Sequence, residues 1–498
     1  MTGEAWVPVG VVASSLLPGL AIFALPEHRR KLRTTLNLSG AAAQLVLVAF
    51  MLWNLGRFQD FEARLVLLPG LDLVLRADEL SMLFMTLSAV LWAVTTVYAV
   101  GYLEDAPHRS RFFGFFSLCV SATAGIAMAG NLFTMFVFYE ILTLVTYPLV
   151  IHRGTPASLA AGRTYLMYTL PSGALLLVAI AGLQVLAGPQ DFVGAGYLKP
   201  LAAEHSGTLV LLFAALMTGF GVKAALVPLH GWLPLAMVAP APVSALLHAV
   251  AVVKAGAFAI VRVVYEVFGI EFAATLGVLT PLALAASVTI VYGSVRALSQ
   301  DELKKRLAYS TVSQVSYIVL GAAVLGPLST IGGLVHLVNQ GLMKITLFFS
   351  AGNYAETLGV HHVSEMDGIG RRMPLTTAAF TVAALGMIGV PPVAGFVSKL
   401  YLGAGAAQAG QWWVIAVLAV SSLLNAMYFL PILHRAWFRP PRGPWPEEHG
   451  RGLDAKPMLL VPVLLTALFS LGMGVLAAMP WSPLDWARLI VRREYVGG

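Results

Sequence analysis

Along this chain, apolar residues gather into blocks of about 20 or more with almost no charge, separated by short polar connectors. That block length matches a bilayer's hydrocarbon core at a helical rise of about 1.5 Å per residue. The pattern predicts 14 spans, at 5–25, 36–55, 78–101, 111–129, 132–151, 162–187, 208–234, 243–266, 273–297, 307–325, 330–355, 374–403, 411–434 and 457–479. The expected fold is therefore an all-α integral membrane protein with about 14 transmembrane helices.

Composition agrees with this. Of 498 residues, 58% are hydrophobic and 11% charged, against about 25% charged in an ordinary soluble domain. Disorder and collagen-like or disulfide scaffolds are excluded, because the glycines and prolines lack a short period and Cys119 is the single cysteine. The net charge of +7 is not clustered as a nucleic-acid-binding face, so no nucleic-acid partner is expected. Counted by connector, 18 Lys and Arg fall on one side (29–33, 109–111, 153–163, 304–306, 371–372 and 435–456) and 7 on the other. The positive-inside rule then puts both termini outside the cell membrane. Only the tail, with Arg488, Arg492 and Arg493 partly offset by Asp485 and Glu494, argues otherwise. The stretch from Trp6 to Leu25 lacks a basic leader and reads as a first helix, not a signal peptide.

Two spans contain breakers: Pro228 and Pro234 in the seventh, and Pro391-Pro392 followed by Gly395 in the twelfth. Each is expected to be a discontinuous helix. Irregular backbone at membrane depth survives where protein or a wet cavity supplies hydrogen-bond partners. Because the broken spans are five apart, helices 4–8 (111–266) and 9–13 (273–434) read as two inverted five-helix repeats. They are preceded by helices 1–3 (1–110) and followed by helix 14 and a short tail (457–498). The alternative is that these prolines merely kink lipid-facing helices.

Ionisable residues inside the spans carry the candidate chemistry. Glu140, in FTMFVFYEILTLVTYPL, is the one acidic residue clearly inside a span, whereas Lys223, Lys254, Lys344 and Lys399 are deep lysines. Arg262 and Arg296 lie near span ends, where they can snorkel. A buried charge costs about 2.5 to 3.5 kcal/mol on insertion scales, and four amines facing one carboxylate leave exchangeable proton sites. His230, His248 and His336 share these spans, and imidazole can pass a proton near neutrality. A proton relay is chemically available, with hydrogen-bonded packing as the alternative reading of each histidine. No metal-ligand spacing, phosphate-binding loop or nucleophile elbow is present, so no cofactor, metal or catalytic centre is expected. His361-His362 reads as a solvated turn, and the 434–456 connector, with Arg435, Arg439 and Arg442, as a surface for lipid head groups or a partner subunit.

The segments FYEILTLVTYPLV, KAALVPLHGWLPLAMVAPAPVSALLHAVAVVKAGAF, DELKKRLAYSTVSQVSYIVLG, HLVNQGLMKITLFF and GVPPVAGFVSKLYL resemble the antiporter-like membrane subunits of respiratory complex I, membrane-bound hydrogenases and multisubunit Mrp sodium/proton antiporters, over residues 70–435. The resemblance implies 14 helices with two inverted repeats and a Glu140–Lys223 pair. It also implies relay roles for Lys254, His248, His336 and Lys399. At Gln314 the chain departs from it, because YSTVSQ stands where a Tyr-Ser-x-x-Ser-His pattern is common. Length and ending are most similar to the D-type member of the Mrp sodium/proton antiporter, and Lys399 differs from the complex I member with glutamate there. The implied function is proton translocation in a multi-pass inner-membrane complex, with other membrane subunits, lipid, protons and sodium as partners. Alternatives are a respiratory or hydrogenase proton pump with quinone- or ferredoxin-linked partners, a quinone-binding subunit, and a structural scaffold.

Overall fold

The computed structural model describes residues 6–54, 61–103, 106–448 and 454–496. The chain opens with α1 (Val7–Phe23) and α2 (Arg30–Asn54), then an antiparallel hairpin of β1 (Phe61–Leu68) and β2 (Leu71–Ala77). Helices α3 (Glu79–Tyr102), α4 (Arg109–Ala127), α5 (Leu132–Val150), α6 (Pro156–Ala187) and α7 (Ala202–Lys223) follow. Short pieces come next: α8 (Trp232–Leu235), α9 (Ala241–Ala245), α10 (Val252–Arg262) and α11 (Ile270–Thr275). The second half comprises α12 (Leu279–Leu298), α13 (Leu303–Ala323), α14 (Pro327–Leu358), α15 (Ile369–Arg372), α16 (Pro374–Ile388), α17 (Ala394–Gln408) and α18 (Trp412–Phe438). It ends with α19 (Pro457–Val475) and α20 (Pro483–Val496).

Among the described residues, ten helices are long and apolar enough to cross a membrane. Their outward residues are apolar too: Val185, Met167, Leu211 and Leu423 are all exposed, as a lipid-facing surface requires. Local sequence sets the helix starts. Asp78, Asn131 and Thr155 cap α3, α5 and α6 by accepting from the amides of Ser81, Thr134 and Ser158.

Both broken helices are observed. After α7 the backbone turns irregularly over 224–231, with Ala225 at φ 57° and a cis bond at Val227–Pro228. After α16 it does so over 389–393, with Gly389 at φ 96° and a cis bond at Pro391–Pro392. A third interruption was not expected: the segment 241–268 contains two π-helical turns, Leu246–Val250 and Val263–Phe268, on either side of Lys254. The hairpin is also additional. Residues 61–77 fall outside every expected span, yet FEARLVLL and LDLVLRA pair across a turn at Gly70 (φ 80°).

Two expectations about charge need correction. Arg262 does not snorkel: it is wholly buried and bonded to Asp78, Glu266 and Ser81. Glu140 is not the only acidic residue within the bundle, because Glu266 is fully buried as well. The described part of the 434–456 connector also engages its own chain, since Arg435, Arg439 and Arg442 converge on the buried Asp367 at 3.1, 3.9 and 2.5 Å while Arg439 and Arg442 stay exposed. Residues 449–453 of that connector lie outside the described residues.

Candidate functional site

Helix α14 forms the spine of the site. It packs on α13, α16, α17, α19 and α20, and nearly all its residues are buried. His336, Gln340 and Lys344 recur every four positions along it and so share one face. A helix with such a stripe is stable in a greasy bundle only if neighbours meet its polar groups.

Each deep lysine meets backbone carbonyls or hydroxyls instead of a carboxylate. Lys254 donates to the Leu337 carbonyl at 2.6 Å, one residue from His336. Lys344 donates to the Leu307 carbonyl at 3.2 Å and to Ser310 Oγ at 2.6 Å. Lys399 caps α16, donating to the carbonyls of Met387 and Ile388 at 3.0 and 2.8 Å and to Ser422 Oγ at 3.0 Å. An ammonium there also meets the negative end of the helix dipole. His336 Nδ1 lies 2.8 Å from Ser398 Oγ, adjacent to Lys399, and its ring stacks on Tyr317 with centroids 5.0 Å apart. The Lys399 amine is 5.4 Å from the same tyrosine ring. The structure thus brings Lys254, His336, Lys344 and Lys399 together around the α13–α14 pair.

Glu140 and Lys223 form a second group. Lys223 is fully buried, hydrogen-bonded to the Tyr139 carbonyl, with its amine 3.3 Å from the centre of the Tyr139 ring. Glu140, the next residue, is half-buried, and its Oε1 has no protein partner. The expected direct ion pair is therefore not closed, because the Tyr139 carbonyl takes the amine, although each group lies within electrostatic reach of the other. Gly173 makes room for the carboxylate: a Cβ there would stand 2.6 Å from Glu140 Oε1. The two groups are coupled through backbone. Gly256, two residues after Lys254, lies so close to the end of α7 that its Cβ would come within 2.3 Å of the Ala224 nitrogen.

Two histidines behave differently from His336. His248, on the π turn before Lys254, is wholly buried against the Phe348 ring at 4.5 Å, and neither ring nitrogen has a protein partner. His230 sits in the α7 break against Tyr292 at 4.9 Å, and no hydrogen bond or ring contact ties it to the other candidates. His361 and His362 are exposed, and no group of three metal-binding side chains occurs among the described residues. Cys119 is buried beside Thr146.

Sequence reasoning missed several members. Tyr317, Ser310, Ser398 and Gln340 touch or lie between the titratable groups, and Tyr428 and Asn425 extend the Ser310 bond toward Met387. The four-residue spacing of His336, Gln340 and Lys344 was the available signal. Unpartnered buried polar atoms concentrate here: both amide atoms of Gln314 and of Gln340, Asn339 Oδ1, Tyr317 Oη and His336 Nε2. Buried polar groups without protein partners are ordinarily met by water, so this interior can hold a hydrated file between amines.

Comparison with known proteins agrees with this architecture. Residues 129–425 match the family described as NADH:quinone oxidoreductase/Mrp antiporter, TM, and residues 70–113 match NADH-ubiquinone oxidoreductase (complex I), chain 5 N-terminus. The N-type member of the NADH-quinone oxidoreductase of Desulforudis audaxviator is 38% identical over 82% of this chain and 81% of its own. The D-type member of the Na(+)/H(+) antiporter of Bacillus subtilis is 28% identical over 80% of each. A chain of the Mrp complex from Dietzia superposes with a TM-score of 0.84 at 23% identity, covering 99% of this chain and 98% of that one, which shows a shared fold. With most of its length inside these matches, the chain belongs to the NADH:quinone oxidoreductase/Mrp antiporter transmembrane family.

Proposed function

We propose that this chain is the proton-translocating subunit of a multisubunit inner-membrane complex of the Mrp-type sodium/proton antiporter kind. The observation that carries the reading is the cluster of buried amines and imidazole at Lys254, His336, Lys344 and Lys399, held by neutral oxygens and bordered by unpartnered polar atoms. A purely structural solution would match each ammonium with a carboxylate. The 14-span topology, the inverted repeats at 111–266 and 273–434, outside termini and contacts with lipid belong to the same proposal.

The proton is loaded at Glu140 and Lys223, passes by Lys254, His248, Lys344 and His336 through water, and leaves from Lys399. Lys223 has two partners one residue apart, the Tyr139 carbonyl and the Glu140 carboxylate. Attraction to the carboxylate holds a proton on the amine, whereas a move to the carbonyl lets it pass inward. A change in a neighbouring subunit that shifts this choice is thereby coupled to transfer. The scale is adequate, since one charge crossing 100 mV is worth about 2.3 kcal/mol. His230 stands apart from the row and is assigned no more than an accessory part.

The test is Glu140→Gln in the assembled complex in sealed vesicles. Proton-coupled transport should be abolished with subunit composition intact; normal coupling would remove Glu140 from the path. A second reading, a proton-pumping subunit of a complex I-like or hydrogenase-type oxidoreductase, is favoured by the 38% identity to the N-type member of an NADH-quinone oxidoreductase. Co-purifying subunits separate the two: small membrane subunits alone mark the antiporter, and iron-sulfur or nickel proteins the redox complex.

A further inference from the structure

Helices α13 and α14 are joined by a three-residue turn, 324–326, and run antiparallel. Three contacts fix how they face each other. Gly321 lies against Gly333, the Tyr317 ring stacks on His336, and Ser310 accepts from Lys344. These positions step along α13 at 321, 317 and 310 while stepping along α14 at 333, 336 and 344. The same register brings Gln314 opposite Gln340, midway between the Lys344–Ser310 contact and the Tyr317–His336 contact.

Both glutamines are wholly buried, and no oxygen or nitrogen of either amide has a protein partner. An amide offers two donor positions and an acceptor with two lone pairs. Two facing amides left unbonded in a membrane protein would be costly, and they lie in the one stretch a proton must cross between Lys344 and His336. Those residues are eight positions apart, about 12 Å along the helix. Neither amine nor imidazole spans such a gap directly.

A second connection exists but does not conduct. Ser310 shares a hydrogen bond with Tyr428 Oη, Tyr428 donates to Asn425 Oδ1, and Asn425 Nδ2 donates to the Met387 carbonyl, which also accepts from Lys399. This chain ends on the Asn425 amide, which keeps its own protons, and on the Met387 carbonyl, which has none to pass on. It positions Lys344 and Lys399.

We infer that Gln314 and Gln340 form a water-binding joint that carries the proton between Lys344 and His336. The proposal rests on the relay reading above. The four amide atoms, with Tyr317 Oη and His336 Nε2 beyond them, offer six unpartnered partners, enough for about two waters at roughly three bonds each. The Lys344 ammonium releases a proton to the first water, a proton moves along the file, and His336 Nε2 accepts one from the last. The amides gain and lose nothing. They are positioning residues, and because they do not titrate, this joint conducts without storing charge.

The experiment compares Gln314→Leu, Gln340→Leu, Gln314→Asn and Gln314→His with Glu140→Gln in the intact complex in sealed vesicles. Proton-coupled transport, its solvent deuterium isotope effect, its pH profile and subunit composition are measured together. Each leucine variant should lose at least tenfold in transport with composition unchanged. Gln314→Asn should recover part of the rate, and Gln314→His should recover it with a new pH dependence near the imidazole range, about 6.5. Leucine variants transporting at the normal rate while Glu140→Gln is inactive would overturn the joint and leave the relay standing. Normal transport in Glu140→Gln would instead strike the relay reading itself. Loss of the complex in every Gln314 variant, with no recovery by Asn or His, would assign the glutamines to packing and also overturn the joint.

Discussion

Arg262 and Asp78, separated by 184 positions in sequence, meet in a two-pronged ion pair, with Nη1 and Nη2 at 2.8 and 3.0 Å from the two carboxylate oxygens. Asp78 also caps α3, so a single side chain starts a helix and anchors the end of the segment that carries Lys254. Glu266 shares the guanidinium, and Arg493 of α20 reaches Glu79 at 2.9 Å and Glu266 at 3.4 Å. The C-terminal helix is thereby locked to the ends of α3 and of the Lys254 segment. The Arg262 and Arg493 guanidiniums hold the Asp78 carboxyl far below the usual range despite its burial, at about 2.

Removing one member of this cluster leaves the others buried and uncompensated. Arg262→Met is expected to cost about 3 to 5 kcal/mol, read as a lower thermal inactivation temperature of the solubilised complex. Asp78→Asn keeps the cap but loses the charge pairing, and should cost less.

The docking of α20 should depend on pH. Burial, and next the charge of Glu266, push the Glu494 carboxyl up from 4.5 to about 7. Arg493 and Arg262 oppose the shift, and the Ala195 amide faces the same carboxyl. Between those values the docked helix holds more protons than the undocked one, so docking weakens as pH rises from about 4.5 through 7 and is weakest above. The difference is about 3 kcal/mol. Amide protection over 483–496, measured as exchange relative to the unstructured peptide at the same pH, should be lower above pH 7 than below it, and Glu494→Gln should flatten the dependence.

Lys399 both ends α16 and closes the proposed path. Lys399→Met would take a donor from the Ile388 carbonyl and leave the Met387 carbonyl with Asn425 alone, and is expected to lower proton-coupled transport at least tenfold. Lys399→Arg keeps the cap but holds its proton too firmly to release it. It should restore assembly and thermal stability without restoring transport. Transport by the arginine variant at the normal rate would show that Lys399 acts only as a cap.

Gly256→Ala places a methyl group 2.3 Å from the Ala224 nitrogen. The α10 backbone must retreat from the end of α7, at a cost of roughly 1 to 3 kcal/mol. We expect reduced transport with a larger isotope effect, as Lys223 and Lys254 move apart. A bulkier residue tolerated here without change would contradict the tight α7–α10 contact.

The membrane-spanning character of this protein, its two broken helices and the identity of its buried titratable residues were legible in the sequence. Each is a local consequence: apolar length, proline chemistry, or a charge in a block that otherwise excludes charge. The partners of those residues were not legible. Lys223 bonds to Tyr139 and Lys254 to Leu337, each more than 80 positions away, and backbone carbonyls leave no mark in a sequence. Arg262 near a span end reads as a snorkelling side chain until folding delivers Asp78 and Ser81 to it. The hairpin at 61–77 was hidden because its short alternating strands lie between two long apolar blocks. Sequence thus decided which groups are withdrawn from water, since that depends on composition along one helix. Tertiary packing decided what each group faces, since register between helices is set by side chains remote in the chain.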